Sequence, residues 1–112
     1  MKKVLLYAMT GEKSCFMHVL LNALDLKAAG HEALVIFEGA SVKLPALLDQ
    51  EKNPNYLQAK EQGLLAGICL ACSKTLGVYE QNAALGLKML DDMKGHAGFR
   101  HYLEEGWEVI SI

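Results

Sequence analysis

The chain has 112 residues, of which 52% are hydrophobic, 7% aromatic and 21% charged, and its formal net charge is −2. This length fits a single domain, residues 1–112, with one hydrophobic core. The apolar content excludes an intrinsically disordered chain. The slightly acidic balance argues against nucleic-acid binding, which needs a surplus of Lys and Arg to neutralise phosphates. No apolar run approaches the roughly 20 residues of a membrane-spanning helix.

The N-terminal residues 1–9 resemble the start of a secretory signal, but two features contradict that interpretation. The apolar part is too short for a signal's hydrophobic region, and it continues into residues 10–13 (TGEK) without a cleavage site of small residues. We therefore predict a buried first strand and a cytoplasmic protein. In a reducing compartment the three cysteines, Cys15, Cys69 and Cys72, are expected to be free, catalytic or metal-binding rather than paired in structural disulfides.

Predicted strands and helices alternate along the chain, and glycines separate most of them. Helical spacing of apolar residues and short runs rich in strand-forming residues distinguish the two types. The predicted strands cover residues 3–9, 33–37, 64–69, 87–90 and 107–112. The predicted helices cover residues 13–29, 53–63, 70–76, 79–85 and 97–105, with one or two further turns within 41–50.

This alternation, with early strands apolar on both faces, predicts a three-layer α/β/α domain with a mostly parallel sheet of about five strands. In such sheets, ligands and reactive groups gather at the carboxyl ends of the strands. All three cysteines fall at this edge of the predicted sheet. The sequence therefore predicts a site whose reactive residues are Cys69 and Cys72, with a pocket lined by Cys15, Ser41, Lys43 and His96.

The motif Cys69-Leu70-Ala71-Cys72 lies where the third predicted strand meets a helix. The free amides and the dipole at a helix start favour negative charge by about 0.3–1 kcal/mol at exposed sites, and this lowers a thiol pKa towards neutrality. We expect a solvent-facing Cys69 thiolate that attacks a disulfide, a persulfide or a peroxide, with Cys72 resolving the product. The alternative is that both cysteines are small apolar residues of the core.

Zinc binding is the main rival chemistry. One C-x-x-C motif supplies two of the four ligands of a tetrahedral zinc site, and no second pair occurs in the sequence. Cys15 and His96 would have to complete the set from neighbouring loops. The principal prediction assigns no metal ligand and no cofactor, and zinc stays open as the alternative.

The segment 68–78 (ICLACSKTLGV) resembles the cysteine segment of the DsrE/DsrF-like (YchN-like) proteins. In the sulfur-relay members a reactive cysteine ends a strand, and a Gly-Val pair closes the following short helix at the spacing seen here. The resemblance places Cys69 on the reactive position, while Cys72 is an addition. The relay proteins' arginine-rich stretch is Ser73-Lys74-Thr75 in this chain. Segments 37–44 (FEGASVKL) and 102–110 (YLEEGWEVI) fit small members of the same group, so the resemblance covers essentially the whole chain.

The resemblance implies a three-layer α/β/α domain that assembles into trimers or hexamers. It also implies transfer of sulfane sulfur between protein partners as a cysteine persulfide, without an organic cofactor. We therefore expect a cytosolic sulfur carrier or sulfurtransferase whose partners are copies of itself and a sulfur donor or acceptor protein, with neither nucleic acid nor membrane involved. Two alternatives stay open: a C-x-x-C dithiol redox protein, and a non-catalytic binder of a metal or small ligand at the same edge.

Overall fold

A computed structural model describes all of residues 1–112. Its five strands are all parallel and form one sheet with the order β4-β3-β2-β1-β5. The strands are β1 Lys3–Ala8, β2 Glu32–Phe37, β3 Leu65–Cys69, β4 Met89–Leu90 and β5 Glu108–Ser111. The predicted α/β class and the predicted number of strands are confirmed.

Six helices connect these strands: α1 Lys13–Ala28, α2 Leu44–Gln50, α3 Pro54–Glu61, α4 Leu70–Thr75, α5 Tyr79–Ala83 and α6 Arg100–Glu104. A 3-10 turn, Gly39–Lys43, precedes α2. From β1 to β4 the sheet grows in one direction, whereas β5 adds on the other side of β1. Because crossovers between parallel strands are right-handed, this reversal places α6 on the opposite face of the sheet from α1 to α5. The result is the predicted three-layer arrangement.

No helix in the structure has both the length and the apolar character required of a membrane span.

The main core lies between the sheet and the longest helix. Strands β1 and β2 are buried along most of their length, as expected of parallel strands covered on both faces. Helix α1 buries residues three or four positions apart, which places them on one face. Within this core the rings of Phe16 and Phe37 lie 5.1 Å apart. The packing fixes the end of β2, where the residues of interest begin.

Strand β4 is only two residues long, and its position depends on a glycine in β3. A Cβ atom at Gly67 would lie 2.6 Å from Leu90 Cγ and 2.8 Å from the Lys88 carbonyl oxygen, so the close approach of the two strands requires glycine. The Ile68 amide donates to that Lys88 carbonyl at 2.8 Å. The chain that follows β4 is thereby brought over the carboxyl end of β3.

Candidate functional site

Four chemically reactive side chains meet at the carboxyl ends of β2 and β3. Glu38 directly follows β2, and Cys69 is both the last residue of β3 and the N-cap of α4. Cys72 lies in the first turn of α4, and His96 belongs to the segment after β4. One potential ligand atom from each residue lies within 4.8 Å of the other three. We call Glu38, Cys69, Cys72 and His96 the thiol cluster.

Short contacts connect all members of the thiol cluster. The Cys72 thiol donates to Glu38 Oε1 across 2.7 Å. His96 Nδ1 lies 3.3 Å from Cys69 Sγ, 3.5 Å from Cys72 Sγ and 3.5 Å from Glu38 Oε1. The backbone amide of Cys72 donates to Cys69 Sγ at 3.4 Å, which is the N-cap interaction of α4. The imidazole nitrogen therefore faces both sulfur atoms and the carboxylate.

The carboxylate of Glu38 is buried and held by several donors. The Gly39 amide donates to Oε1 at 2.9 Å, and the Ala97 amide donates to Oε2 at 3.0 Å. Tyr7 places its hydroxyl 3.3 Å from Oε2 and 2.6 Å from the Ala97 carbonyl oxygen, to which it donates. Gly39 has a φ of 57°, a left-handed conformation that glycine adopts without strain. The geometry fixes the carboxylate in one orientation towards the thiols.

These hydrogen bonds determine the charge of Glu38. Burial by itself raises the pKa of this carboxyl, but the hydrogen bonds from Cys72, from the Gly39 amide, from Cys69 and from the Ala97 amide lower it further than burial raises it. The net pKa lies below the usual value for glutamate. Glu38 is therefore an anion at neutral pH, next to two thiols.

The expectation of a solvent-facing, acidic Cys69 is wrong. Cys69 has no exposed surface, and burial raises its pKa despite the helix-start amide that opposes this shift. Cys72 is partly exposed, and its pKa is raised to about 12, first by burial and then by its hydrogen bond to Glu38. The dipole of a helix with only six residues is outweighed by desolvation and by an adjacent carboxylate.

The other residues predicted to line the pocket have different positions. His96 joins the thiol cluster as predicted, with its side chain 44% exposed. Ser41 is buried, and its hydroxyl lies 2.8 Å from the carbonyl oxygens of Ala8 and Glu38, so it stabilises backbone rather than facing the thiols. Cys15 on α1 and Lys43 are exposed to solvent.

A shallow depression of about 300 Å³ opens beside Cys72. Its lining consists of Gly39, Ala40, Cys72, Thr75, Leu76 and His96. The prediction that Cys15, Ser41 and Lys43 line this pocket is therefore corrected, and only His96 of the predicted lining residues is present. The depression gives solvent a route to Cys72, whereas Cys69 lies behind it with no exposed surface.

The sequence interpretation missed Glu38 and Tyr7. A signal for Glu38 exists, since it is a charged residue placed directly between an apolar strand and a glycine, at the edge where reactive groups gather. Tyr7 lies within an apolar run and gives no such signal. Its contact to the Ala97 carbonyl joins residues 90 positions apart, which only the folded chain brings together.

The thiol cluster combines groups with three chemical capacities. A fixed carboxylate lies within reach of a thiol proton, two thiols are near enough to exchange partners, and sulfur, nitrogen and oxygen ligands converge. All three cysteines of the chain are unpaired.

Comparison with known proteins identifies relatives without an assigned activity. No model of a known protein family matches the chain. The solved structure of BT1422 from Bacteroides thetaiotaomicron, described as a conserved protein of unknown function, aligns with a TM-score of 0.71 and 24% identity over 98% of this chain and 95% of that one. This likeness shows a shared fold. The chain is also 31% identical over 99 residues to the uncharacterized protein MJ0733 of Methanocaldococcus jannaschii, a match that covers 86% of this chain and 78% of that protein. By this extended similarity the chain belongs to the same protein family as MJ0733.

Proposed function

We propose that this protein is a sulfur carrier that accepts a sulfane sulfur atom on its C-x-x-C motif and passes it to an acceptor thiol. The observation that carries this proposal is the 2.7 Å contact from the Cys72 thiol to Glu38 Oε1, next to the second thiol of Cys69. A thiol must lose its proton to attack sulfur. The carboxylate of Glu38 fixes the direction of the Cys72 thiol and, because it raises the Cys72 pKa, keeps that thiol protonated in the resting protein.

The cysteine roles follow from exposure. The sequence favoured Cys69 as the nucleophile, but Cys72 is the cysteine of the motif that reaches the surface depression. In the proposed first step the Cys72 thiol loses its proton to solvent, and the Cys72 thiolate attacks the outer sulfur of a persulfide R–S–SH. The S–S bond of the donor breaks, and the leaving R–S⁻ recovers a proton as R–SH. The product is a persulfide on Cys72, and no electrons are gained or lost overall.

Release of the sulfur uses a second thiol exchange. An acceptor thiol R′–SH attacks the outer sulfur of the Cys72 persulfide, which gives R′–S–SH and restores the Cys72 thiol. Without an acceptor, the Cys69 thiol attacks the inner sulfur instead. That reaction forms a Cys69–Cys72 disulfide and releases H₂S, so the persulfide serves as the oxidant.

Dithiol redox exchange is a second candidate function. It is favoured by the hydrogen bond from the Cys72 amide to Cys69 Sγ, which holds the two sulfur atoms at the same helix start. Such a protein would cycle between the dithiol and the Cys69–Cys72 disulfide with an external disulfide as oxidant. Accumulation of the disulfide without any sulfur-loaded species would favour this function over sulfur transfer.

Partners and location belong to the same proposal. The resemblance to DsrE/DsrF-like proteins supports a sulfur donor or acceptor protein as partner and an assembly of three or six copies. Free cysteines are consistent with a cytoplasmic location, where thiols stay reduced. No organic cofactor is needed for the exchange. Light scattering of the purified protein tests the assembly, since a monomer in solution would contradict it.

Intact-mass measurement tests the sulfur-transfer proposal. Reduced, chelator-treated protein is mixed with glutathione persulfide, and the mass is read before and after a thiol acceptor is added. We expect a gain of one sulfur atom that maps to the peptide with Cys72 and disappears on addition of the acceptor.

The exposed Cys15 supplies the matched control. Cys15→Ser should take up sulfur like the unchanged protein, whereas Cys72→Ser should not. Sulfur found only on Cys15, or uptake that persists in Cys72→Ser, would contradict the proposal.

A further inference from the structure

The thiol cluster contains more ligand groups than sulfur exchange requires. Two thiols are enough for exchange, and one carboxylate is enough to orient a thiol through a hydrogen bond. His96 adds an imidazole whose Nδ1 lies 3.3–3.5 Å from each of the other three members. Three segments distant in sequence thus direct two sulfurs, one nitrogen and one oxygen towards a common point, with all four atoms within 4.8 Å of one another.

The separations suit a tetrahedral metal shell. Zinc bonds of about 2.3 Å to sulfur and about 2.0–2.2 Å to nitrogen or oxygen place neighbouring ligand atoms roughly 3.3–3.8 Å apart in a tetrahedron. His96 Nδ1 already has such distances to Cys69 Sγ, to Cys72 Sγ and to Glu38 Oε1, at 3.3, 3.5 and 3.5 Å. The contact between Cys72 Sγ and Glu38 Oε1 is shorter, 2.7 Å, because a thiol proton joins these atoms. Replacing that proton by a metal ion would move them apart by about 0.9 Å.

A second layer of contacts orients the ligands. Metal sites depend on outer residues that fix the ligand groups, and loss of such a residue commonly weakens binding 10–100-fold. Here the Ala97 amide holds the Oε2 side of Glu38, Tyr7 holds the Ala97 carbonyl, and Oε1 is left facing the thiols. The Ala71 amide at the start of α4 donates to the Gly95 carbonyl at 2.9 Å, which attaches the segment of His96 to the helix of Cys72. The ligands therefore belong to one connected structure.

The ligand types select the class of ion. Mg²⁺ and Ca²⁺ take shells of oxygen ligands, whereas thiolates and imidazole bind zinc and softer ions. Two cysteines, one histidine and one glutamate match the ligand groups of zinc proteins. The half-exposed His96 and the depression beside Cys72 give an ion a path from solvent.

From this convergence we propose that Glu38, Cys69, Cys72 and His96 form a four-coordinate site for a divalent ion of the zinc type. On binding, both thiols are deprotonated, two metal–sulfur bonds form, and two protons leave to solvent. The site does not depend on the proposed sulfur transfer, although the same sulfur atoms cannot bind the ion and accept sulfur at the same time.

Metal titration of the full chain tests the site. Protein stripped with a chelator and kept reduced is titrated with Zn²⁺ in competition with a chromophoric chelator, and in parallel with Co²⁺ as a spectroscopic probe. We expect one ion per chain and release of about two protons per ion in weak buffer. Bound Co²⁺ should show the near-ultraviolet bands of thiolate ligands and the strong visible bands of tetrahedral geometry. Absence of thiolate bands, or of saturable binding, overturns the proposal.

Variants assign the ligands. Loss of a sulfur or imidazole ligand should weaken Zn²⁺ binding by at least about 100-fold in each of Cys69→Ser, Cys72→Ser and His96→Asn. Glu38→Gln should weaken it by at least about tenfold, since a carboxylate is replaced by a poor ligand. Cys15→Ser, which alters an exposed cysteine outside the cluster, should bind like the unchanged chain. Because the side chain of His96 is half-exposed, His96→Asn should fold even if a buried cysteine variant does not. Full affinity in His96→Asn, with the fold confirmed by circular dichroism, overturns the four-ligand site.

The two proposals fail independently. Sulfur uptake is measured on chelator-treated protein without metal, and metal affinity is measured without a sulfur donor. Uptake without Zn²⁺ binding would reject the metal site alone, whereas Zn²⁺ binding without uptake would reject the sulfur carrier alone.

Discussion

Two regions at the carboxyl edge of the sheet carry cysteine, and only in one of them does cysteine meet other reactive side chains. After β1 the chain enters α1, where Cys15 is exposed and unpaired. After β3 the chain enters α4, where Cys69 and Cys72 meet Glu38 from the adjacent strand and His96 from the segment after β4. A cysteine at a strand end is therefore insufficient by itself. The thiol cluster forms because the chain segments that follow three strands direct their side chains to the same point.

The largest expected difference between these regions is in thiol reactivity. With a pKa of about 12, roughly one Cys72 thiol in ten thousand is ionised near pH 8, about a thousandfold less than for an ordinary cysteine. In metal-free protein we expect iodoacetamide to modify Cys15 first, and the Cys72 rate to rise about tenfold per pH unit up to the raised pKa. Peptide mass spectrometry over time measures both rates. Equal alkylation rates for Cys15 and Cys72 near pH 8 would contradict the predicted difference in thiol reactivity.

Glu38→Gln should reduce the difference in reactivity between Cys15 and Cys72 by making Cys72 more reactive. The substitution removes the carboxylate that raises the pKa of Cys72, while the contribution of burial remains. The Cys72 pKa should fall, and alkylation of Cys72 near pH 8 should accelerate about tenfold for each unit of that fall. Cys15 should keep its rate in the same sample and serves as the internal control. An unchanged Cys72 rate would show that Glu38 does not control the thiol.

Gly67→Ala should disturb the thiol cluster by displacing strand β4, without changing any of the four reactive side chains. The added Cβ would lie 2.6 Å from Leu90 Cγ and should force β4 away from β3, at a cost of about 1–3 kcal/mol in the free energy of unfolding. Gly98→Ala is the matched control, because the nearest contacts there are 3.2 Å, to Asp92 Oδ2 and Met93 Cβ. Urea denaturation followed by circular dichroism measures both variants. Equal stability of the two would contradict the role of Gly67.

The smallest expected effects are the changes in the free energy of unfolding caused by Tyr7→Phe and Cys15→Ser. Tyr7→Phe removes a buried hydroxyl 2.6 Å from the Ala97 carbonyl and should lower the free energy of unfolding by about 1 kcal/mol. Cys15→Ser at an exposed position should stay within about 0.5 kcal/mol of the unchanged chain. Thermal melts of the two variants test this order, which a more destabilising Cys15→Ser would reverse.

The fold was accessible from the sequence because its signals are local. Apolar runs, helical spacing and glycine breaks identified every strand and helix to within a few residues, and the class followed from their alternation. The candidate site was only half accessible. The C-x-x-C motif and His96 were found from their positions after strands, but Glu38 was missed because its role depends on amides and thiols far along the chain.

The electrostatic prediction failed for a related reason. The start of α4 is correctly placed at Cys69, and its amide does reach the sulfur. What the sequence could not reveal is that the fold buries Cys69 and sets a charged carboxylate beside both thiols. Both effects raise a thiol pKa, and together they exceed the local influence of the helix start.

The complete burial of Cys69 imposes a size limit on whatever reaches it. A bulky disulfide such as oxidised glutathione cannot align with a sulfur atom that has no accessible surface. A single atom carried inward on the neighbouring Cys72, or a molecule as small as hydrogen peroxide, needs far less room. The inner cysteine would then be screened from bulky disulfides and would react only with a very small oxidant or with an outer cysteine that has already been loaded.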